Sequence, residues 1–534
     1  MNGGDFASLP GMTDAAKPLT PAPRWLIGML VLAFALTLFR FGHVPLFDED
    51  EGEYAEVAVE MARSGDFITP TLNGQPFFEK PILAFWLQAP LVQSFGIHAW
   101  VFRLPSVLAC LLWVWALVRF GRRAWDSETG WFAGFLCATS VGVVVSAGAA
   151  AMDGVLCLLV ALACFDIFTV WQGGERASPW VARRVFLWMA LGFLAKGPVA
   201  VVVPFFTSFL FYVMQGNVGR WLRAAFDPLA WVLFLAVALP WYLVQYRLMG
   251  HPFLDYFLLR ENLGRLTGTL QGHGGSLLYY VPVLVLIVLP HTALLLRAGV
   301  ESWRTRGDPL TRFLLTWFVV VFVLFSLATT KLPHYLLIGL TPLFLLMARH
   351  RERLHSAGMA ALPWAALAGL VLALPAAVAW GAAHGRNPYL TEMLGQGPDV
   401  FAKAYWTAAL LELGGALLLM AGLRGWWRGH PWRILALTGF SSNLFLWTLL
   451  LPSAAHLQQA PVQEAARLAR QWSQPVVADN RMPSFAVYSG RPTVKRDPVP
   501  GDLVFLRADG EARLPPHEVL FSRGGLRLVR ISGP

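Results

Sequence analysis

Charge is what this chain has least of: only 14% of its 534 residues are ionisable at neutral pH as Asp, Glu, Lys or Arg, against 56% that are hydrophobic. Soluble domains usually carry about a quarter charged residues. An ordinary soluble protein is therefore excluded, and the composition is that of a polytopic membrane protein. Cysteine is almost as scarce. Cys110, Cys137, Cys157 and Cys164 all lie inside apolar runs and none forms a CxxC pair, which excludes a disulfide framework or a cysteine metal site and leaves them as small hydrophobes. Internal repeats and low-complexity tracts are absent. Acid is outnumbered by base, 32 residues to 42. The excess falls as short arginine clusters between apolar runs, the pattern of cytoplasmic membrane loops, so nucleic acid is not the expected partner.

A membrane-spanning helix needs roughly 20 apolar residues. Candidate spans lie near 24–43, 103–120, 130–150, 154–172, 185–195, 197–215, 229–247, 276–296, 311–329, 332–348, 361–383, 401–423 and 432–452, about thirteen crossings. The first is followed by LFRFGHVP without a small-residue cleavage site, so it reads as a retained signal anchor. Arginines at 119, 122 and 123, at 176, 183 and 184, at 220 and 223, at 297 to 312, at 349 to 353 and at 424 to 433 can all be assigned to one side. The positive-inside rule makes that side the cytoplasm, together with residues 1–23. An odd number of spans then leaves a tail, 453–534, on the outer side with the first loop, 44–102.

One segment constrains this scheme. Residues 185–215 lie between basic clusters and must cross an even number of times, so the chain has to fold back at Lys196-Gly197-Pro198. Lys196 is then carried below the outer surface, where a lysine needs an anionic partner.

The first outer loop opens with FDEDEGEYAE, six carboxylates in ten positions at 47–56. The following AEVAVEMARSG has the spacing of a short amphipathic helix. PILAFWLQAPLVQSFG, at 81–96, is too short and too polar to span and suits the interface. In the tail, helix-like AARLARQW precedes strand-like PVVAD and DLVFLR, the pattern of a small α/β domain. The expected architecture is a mainly α membrane bundle of about thirteen helices with that domain appended.

Much of the acidic stretch, including Asp48, Glu49, Glu53, Glu56 and Glu60, can be read as a solvated loop. Asp153, in AGAAAMDG, suits the cap of the next helix. Lys196, Arg265, and Lys331 with Tyr335 all fall at outer ends of spans. Each cation there could simply snorkel, yet outer ends are normally poor in lysine and arginine. Cations at membrane depth suit a phosphate carried on a lipid. A nearby acid suits proton abstraction or orientation of an attacking group. Residue chemistry alone thus reaches an enzyme or a transporter acting on a phosphorylated lipid. A transporter would show broken helices in symmetric halves, and the single fold-back and the asymmetric first loop speak against it.

The stretch DEGEYAEVAVEMARSGDFITPTLNGQPFFEKPIL resembles the first periplasmic loop of the protein-mannosyltransferase superfamily of C-type (GT-C) membrane glycosyltransferases, and in particular the bacterial 4-amino-4-deoxy-L-arabinose lipid A transferases. GFLAKGPVA, KLPHYLLIGLTPL and DNRMPSFAVYSGRP extend the likeness over essentially the whole chain. The resemblance implies an inverting transferase of the inner membrane that takes a sugar from an undecaprenyl-phosphate donor and gives it to lipid A at the periplasmic face. It implies Asp50 as the principal catalytic carboxylate, with Glu51 and Tyr54 shaping the same helix start. Glu79 and Lys80 match the family's Glu-Lys pair, Lys80 holding the donor phosphate, and Asp153 matches the second outer-loop acid. Lys196, Arg265 and Tyr335 match the carrier-phosphate pocket, with Lys331 a lesser member. Two departures stand out. Glu261-Asn262 replaces a Glu-His pair, which weakens a divalent-metal site at Glu79. Glu53 stands where arginine is common. Another sugar, such as a hexose or galactosamine, delivered to lipopolysaccharide, a surface glycan or protein is the alternative within the same class.

Overall fold

The computed structural model describes residues 23–264, 268, 274–478 and 481–532. The expected N-terminal segment lies almost wholly outside them, and so does Arg265.

The apolar runs become helices, and their ends are set by local chemistry. The first part of the chain forms α1 (Arg24–Arg40), α2 (Asp50–Ser64), α3 (Leu83–Phe95), α4 (Ala99–Ala124), α5 (Ser127–Thr139), α6 (Val141–Ala147) and α7 (Asp153–Gly173). It continues through α8 (Pro179–Lys196), α9 (Val199–Met214), α10 (Val218–Ala225) and α11 (Pro228–Met249). Asp126 and Asp227 cap α5 and α11 through their carboxylates, and Asp308 does the same for the helix Pro309–Leu327, each satisfying an otherwise unpaired N–H. Every one of the thirteen apolar candidates holds helix. Among the described residues, seven helices are long and apolar enough to cross a membrane, or nine if each of two bent pairs, α5 with α6 and Tyr280–Ile287 with Thr292–Arg304, is one span. Val31, Phe206, Leu235, Leu362 and Leu418 stand exposed on helices of the bundle, as a lipid-facing surface requires.

Small residues let the inner helices approach closely. A Cβ on Gly121 of α4 would lie 2.8 Å from Cα of Gly130 on α5, and one on Gly154 of α7 would lie 2.7 Å from the Cys110 sulfur. This is how helices associate where no hydrophobic force separates them from lipid. All four cysteines are free and buried, as their apolar setting implies. The predicted fold-back occurs at Gly197, whose φ of +83° ends α8 and sends α9 back beside it. The first arm is longer than the apolar count suggested, since α8 begins at Pro179 and includes Arg183 and Arg184.

At one end of the bundle, ion pairs join basic segments far apart in sequence: Arg351 with Glu128 at 2.9 Å, Arg353 with Glu301 at 3.8 Å, and Arg183 with Asp227 at 2.8 Å. Trp25, at the start of α1, packs on Trp426 and Trp432 beside them. The acidic loop belongs to the other end.

The final apolar segment does not stop near residue 453. Helix continues from Pro431 to Ala469, so the last span runs directly into the tail. There, β3 (Val476–Ala478), β4 (Thr493–Val494), β5 (Leu503–Arg507), β6 (His517–Arg523) and β7 (Leu526–Ile531) form one sheet of order β4-β3-β5-β7-β6, parallel for the first three and antiparallel beyond. The strands β1 (Thr71–Leu72) and β2 (Gln75–Pro76) are a separate hairpin in the first loop. The sheet packs on the helices Leu451–Ala469 and Ser484–Ser489 through Val462, Ala466, Phe485, Phe505 and Leu528. This small domain lies against α2, so the tail and the acidic loop share a side.

Candidate active site

Asp50 is the first residue of α2 and Asp153 the first of α7, positions where the positive end of the helix dipole favours a carboxylate. Both face a cavity of about 580 Å³ that also receives Tyr54, Glu79, Lys80, Lys196 and Tyr335. Seven of the ten residues picked from sequence therefore meet in one place. The remaining wall is largely apolar, with Leu156, Leu324, Phe325 and Ile338, so the charges face a medium that strengthens their interactions.

Lys196 has the anionic partner that its depth demands. Its Nζ lies 2.5 Å from Asp153 Oδ1, and both side chains are largely buried. The pair joins the end of α8 to the start of α7, and the Lys196 ammonium also stands 5.9 Å from the centre of the Tyr335 ring. Lys80 sits at 5.9 Å from the Tyr54 ring. Glu79 accepts a hydrogen bond from the Tyr256 hydroxyl at 3.2 Å. Each cation is thus set against an aromatic ring, and Lys196 against an acid as well.

Two expected members lie elsewhere. Glu51 points away from the cavity into Arg103, which donates to its two carboxylate oxygens at 2.9 and 2.8 Å and to the carbonyls of Phe41, Val44 and Pro45. The same carboxylate accepts from the amides of Phe47 and Ala150. It is a fully satisfied buried clamp, tying the end of α1 and the start of α2 to α4 and to the loop before Asp153. Lys331 is buried, with its Nζ donating to the carbonyls of Ser326 and Ala328 at 2.7 and 2.6 Å. It closes the end of the helix Pro309–Leu327 instead of lining the cavity.

His334 and Glu261 do line it, and Arg103 supports it, although sequence reasoning picked none of them as binding groups. His334 stands beside Tyr335 in the quoted KLPHY, so its adjacency could have flagged it. Arg103 carried no such signal, because an arginine at the head of an apolar run reads as a loop charge.

Acid crowding marks the site. Burial, then the neighbouring Glu79 and Asp50, push the Glu53 carboxyl up to about 8, so it keeps its proton at neutral pH. Burial raises Asp48 to about 6 in spite of hydrogen bonds from Gln459 and Ser484. A divalent metal at Glu79 is not supported by the donor set, because no group of three His, Cys, Asp or Glu side chains is placed to hold one among the described residues.

The fold that carries this cavity is shared with proteins of known structure. ArnT from Cupriavidus metallidurans, in the crystal structure bound to undecaprenyl phosphate, superposes with a TM-score of 0.76 at 20% identity, covering 96% of this chain and 100% of that one. The chain has the GT-C fold. A more distant match is the archaeal oligosaccharyltransferase AglB from Archaeoglobus fulgidus, with a TM-score of 0.50 and 12% identity over 91% of this chain and 70% of that one. In sequence, residues 79–243 match the profile of the dolichyl-phosphate-mannose-protein mannosyltransferases. Undecaprenyl phosphate-α-4-amino-4-deoxy-L-arabinose arabinosyl transferases from Pseudomonas fluorescens and Proteus mirabilis are 30% and 33% identical over 64% and 60% of this chain, respectively. The chain spans about three fifths of the length of these relatives, 59% and 58%.

Proposed function

We propose that this protein is an inverting glycosyltransferase that moves a sugar, 4-amino-4-deoxy-L-arabinose, from undecaprenyl phosphate to lipid A at the outer face of the inner membrane. The observation that carries this reading is the convergence of Asp50, Lys80 and the Asp153–Lys196 pair on one cavity, within a GT-C fold superposing on an enzyme crystallised with that lipid phosphate. The basic end of the bundle is the cytoplasmic end, the thirteen helical segments are the crossings, and the sheet domain lies in the periplasm.

Transfer is a single displacement at the anomeric carbon. The bond from that carbon to the carrier phosphate breaks as the bond to the acceptor oxygen forms, and the carrier leaves as its phosphate. Lys80 and Lys196 stabilise the negative charge on the departing phosphate, with Lys196 held in position by Asp153. Arg265 adds a bidentate donor to the same group. Asp50 faces the acceptor. A lipid A phosphate is already ionised, so Asp50 orients it and stabilises the positive charge growing at the sugar carbon. For a hydroxyl acceptor Asp50 takes the proton instead. Tyr54 and Tyr335 supply the cation-facing walls, and Glu79 borders the sugar.

Two measurements test this. Mass spectrometry of lipid A from cells with and without the gene should show a species heavier by one aminopentose only when the gene is present. A hexose or hexosamine increment would keep the chemistry and replace the sugar, whereas unchanged glycolipids would refute the acceptor class. In purified enzyme, Asp50→Asn should lower transfer by about 10²- to 10³-fold with the thermal unfolding temperature retained.

A further inference from the structure

Asp48, in the acidic loop, neither faces the cavity nor meets water freely. Asp48 lies two residues before Asp50, next to the position where a helix usually finds its side-chain cap. Yet α2 has no side-chain cap: its N-cap position is Glu49, which makes no capping hydrogen bond. The Asp48 carboxylate is turned outward, to the tail. Its Oδ1 accepts from the Ser484 backbone N–H at 2.9 Å, and its Oδ2 accepts from the Ser484 hydroxyl at 2.5 Å and from Gln459 Nε2 at 2.8 Å. Ser484 and Gln459 are both fully buried, and the Gln459 carbonyl lies 3.0 Å from the same hydroxyl. Every partner of Asp48 thus comes from more than 400 positions away.

The surrounding contacts repeat this arrangement. Gly52, one helical turn on, lies so close to the tail that a Cβ there would fall 2.7 Å from the Ser484 nitrogen and 2.4 Å from the Asp48 carboxylate. Just before the helix, the Leu46 amide donates to the Tyr488 hydroxyl at 2.7 Å. At its far end, Arg63 donates to the Gly490 carbonyl at 3.1 Å. The helix Ser484–Ser489 therefore runs along α2 and grips it at start and finish. On the opposite side, Glu51 is fixed by Arg103 to the bundle. The first turn of α2 is clamped between two anchors, one from the membrane part and one from the tail, and Asp50 lies between them.

From this we infer that Asp48 and Ser484 are a positioning pair, through which the C-terminal sheet domain sets where α2 begins and so aims Asp50 into the cavity. The inference rests on the reading of Asp50 as the reacting carboxylate. It gives the tail, which has no catalytic set of its own, a defined part in transfer. Neither residue touches substrate; they act through the backbone of residues 48 to 50. A displacement of about 1 Å at a reacting group can cost about 10²-fold in rate, so a loosened clamp appears in turnover before it appears in donor binding.

The test uses the full-length protein in lipid nanodiscs with undecaprenyl-phosphate aminoarabinose and lipid A. Ser484→Ala, Asp48→Ala and Asp48→Asn are compared for kcat, donor KM and unfolding temperature, with rates expressed per folded molecule. Ser484→Ala and Asp48→Ala should lower kcat by about 10- to 100-fold while the donor KM stays within about threefold. Asp48→Asn should recover much of the loss, because its amide oxygen can still accept from the Ser484 N–H. Were Asp48→Ala not to fold, Ser484→Ala, which removes one hydroxyl, would carry the test alone. A normal kcat per folded molecule in Ser484→Ala, with only a lowered unfolding temperature, would reduce the contact to stability and overturn the inference. Normal turnover in Asp50→Asn would instead overturn the reading beneath it, and the positioning role would fall with it.

Discussion

Burial and two neighbouring carboxylates hold the Glu53 carboxyl near pH 8, and the consequence for stability has a definite sign. Between the ordinary value of 4.5 and about 8, folded protein keeps a proton that the unfolded chain has released. Stability therefore falls as pH rises across that window and levels off above it. Glu53→Gln removes this term. Thermal unfolding in detergent should show the variant more stable than the parent above pH 8, by up to several kcal/mol at ~1.4 kcal/mol per unit, with the advantage vanishing toward pH 4.5. Glu56 keeps part of the parent's pH dependence in the variant, because burial raises it to about 8 as well. Equal pH profiles for parent and variant would show that Glu53 is ionised at neutrality. At this scale sequence was a partial guide. It led to Asp153 and Lys196 through type and setting and to Asp50 and Lys80 through family resemblance, but Glu51 and Lys331, of the same residue types, are spent on structural contacts. Only the direction of a side chain separates them, and direction is a property of packing.

Among the elements, the α8–α9 hairpin shows most clearly what a local pattern can and cannot specify. The apolar length between two arginine clusters required a fold-back, and Gly197-Pro198 was the natural breaking point. The need of Lys196 for an acid followed from its depth. That the acid is Asp153, 43 positions away, followed from nothing local. Gly197 adopts φ +83°, a conformation that costs a residue with a Cβ about 1–3 kcal/mol. Gly197→Ala should therefore shift the end of α8, loosen the Asp153–Lys196 pair and lower transfer at least tenfold, in line with about 10²-fold for a 1 Å displacement. Transfer unchanged in that variant would show that the pair tolerates a rebuilt turn. The start of α2 was read from AEVAVEMARSG as a short amphipathic helix. In the structure it extends back to Asp50 and is buried on most sides, because the tail and α3 cover faces that a hydrophobic pattern would leave wet.

For the whole molecule, the contact of the tail with the first loop requires both to lie on one side of the membrane, and the ion-paired basic segments mark the other. The native cysteines are all buried, which makes single introduced cysteines clean reporters. A membrane-impermeant maleimide applied to spheroplasts should label Ser94→Cys and Ser473→Cys, and should label Thr305→Cys only after the membrane is opened. Labelling of Thr305→Cys in intact spheroplasts would reverse the orientation.

The sequence by itself determined the membrane class, the apolar helical segments and the fold-back. These follow from properties summed over neighbouring residues: apolar run length, arginine clustering and the backbone freedom of one glycine. Tertiary structure decided which charges face each other. Asp153 meets Lys196, Glu51 turns from the cavity to Arg103, and Asp48 reaches Ser484 across 436 positions. Buried charges and polar groups require partners, and which partner is within reach is settled only when the helices have packed.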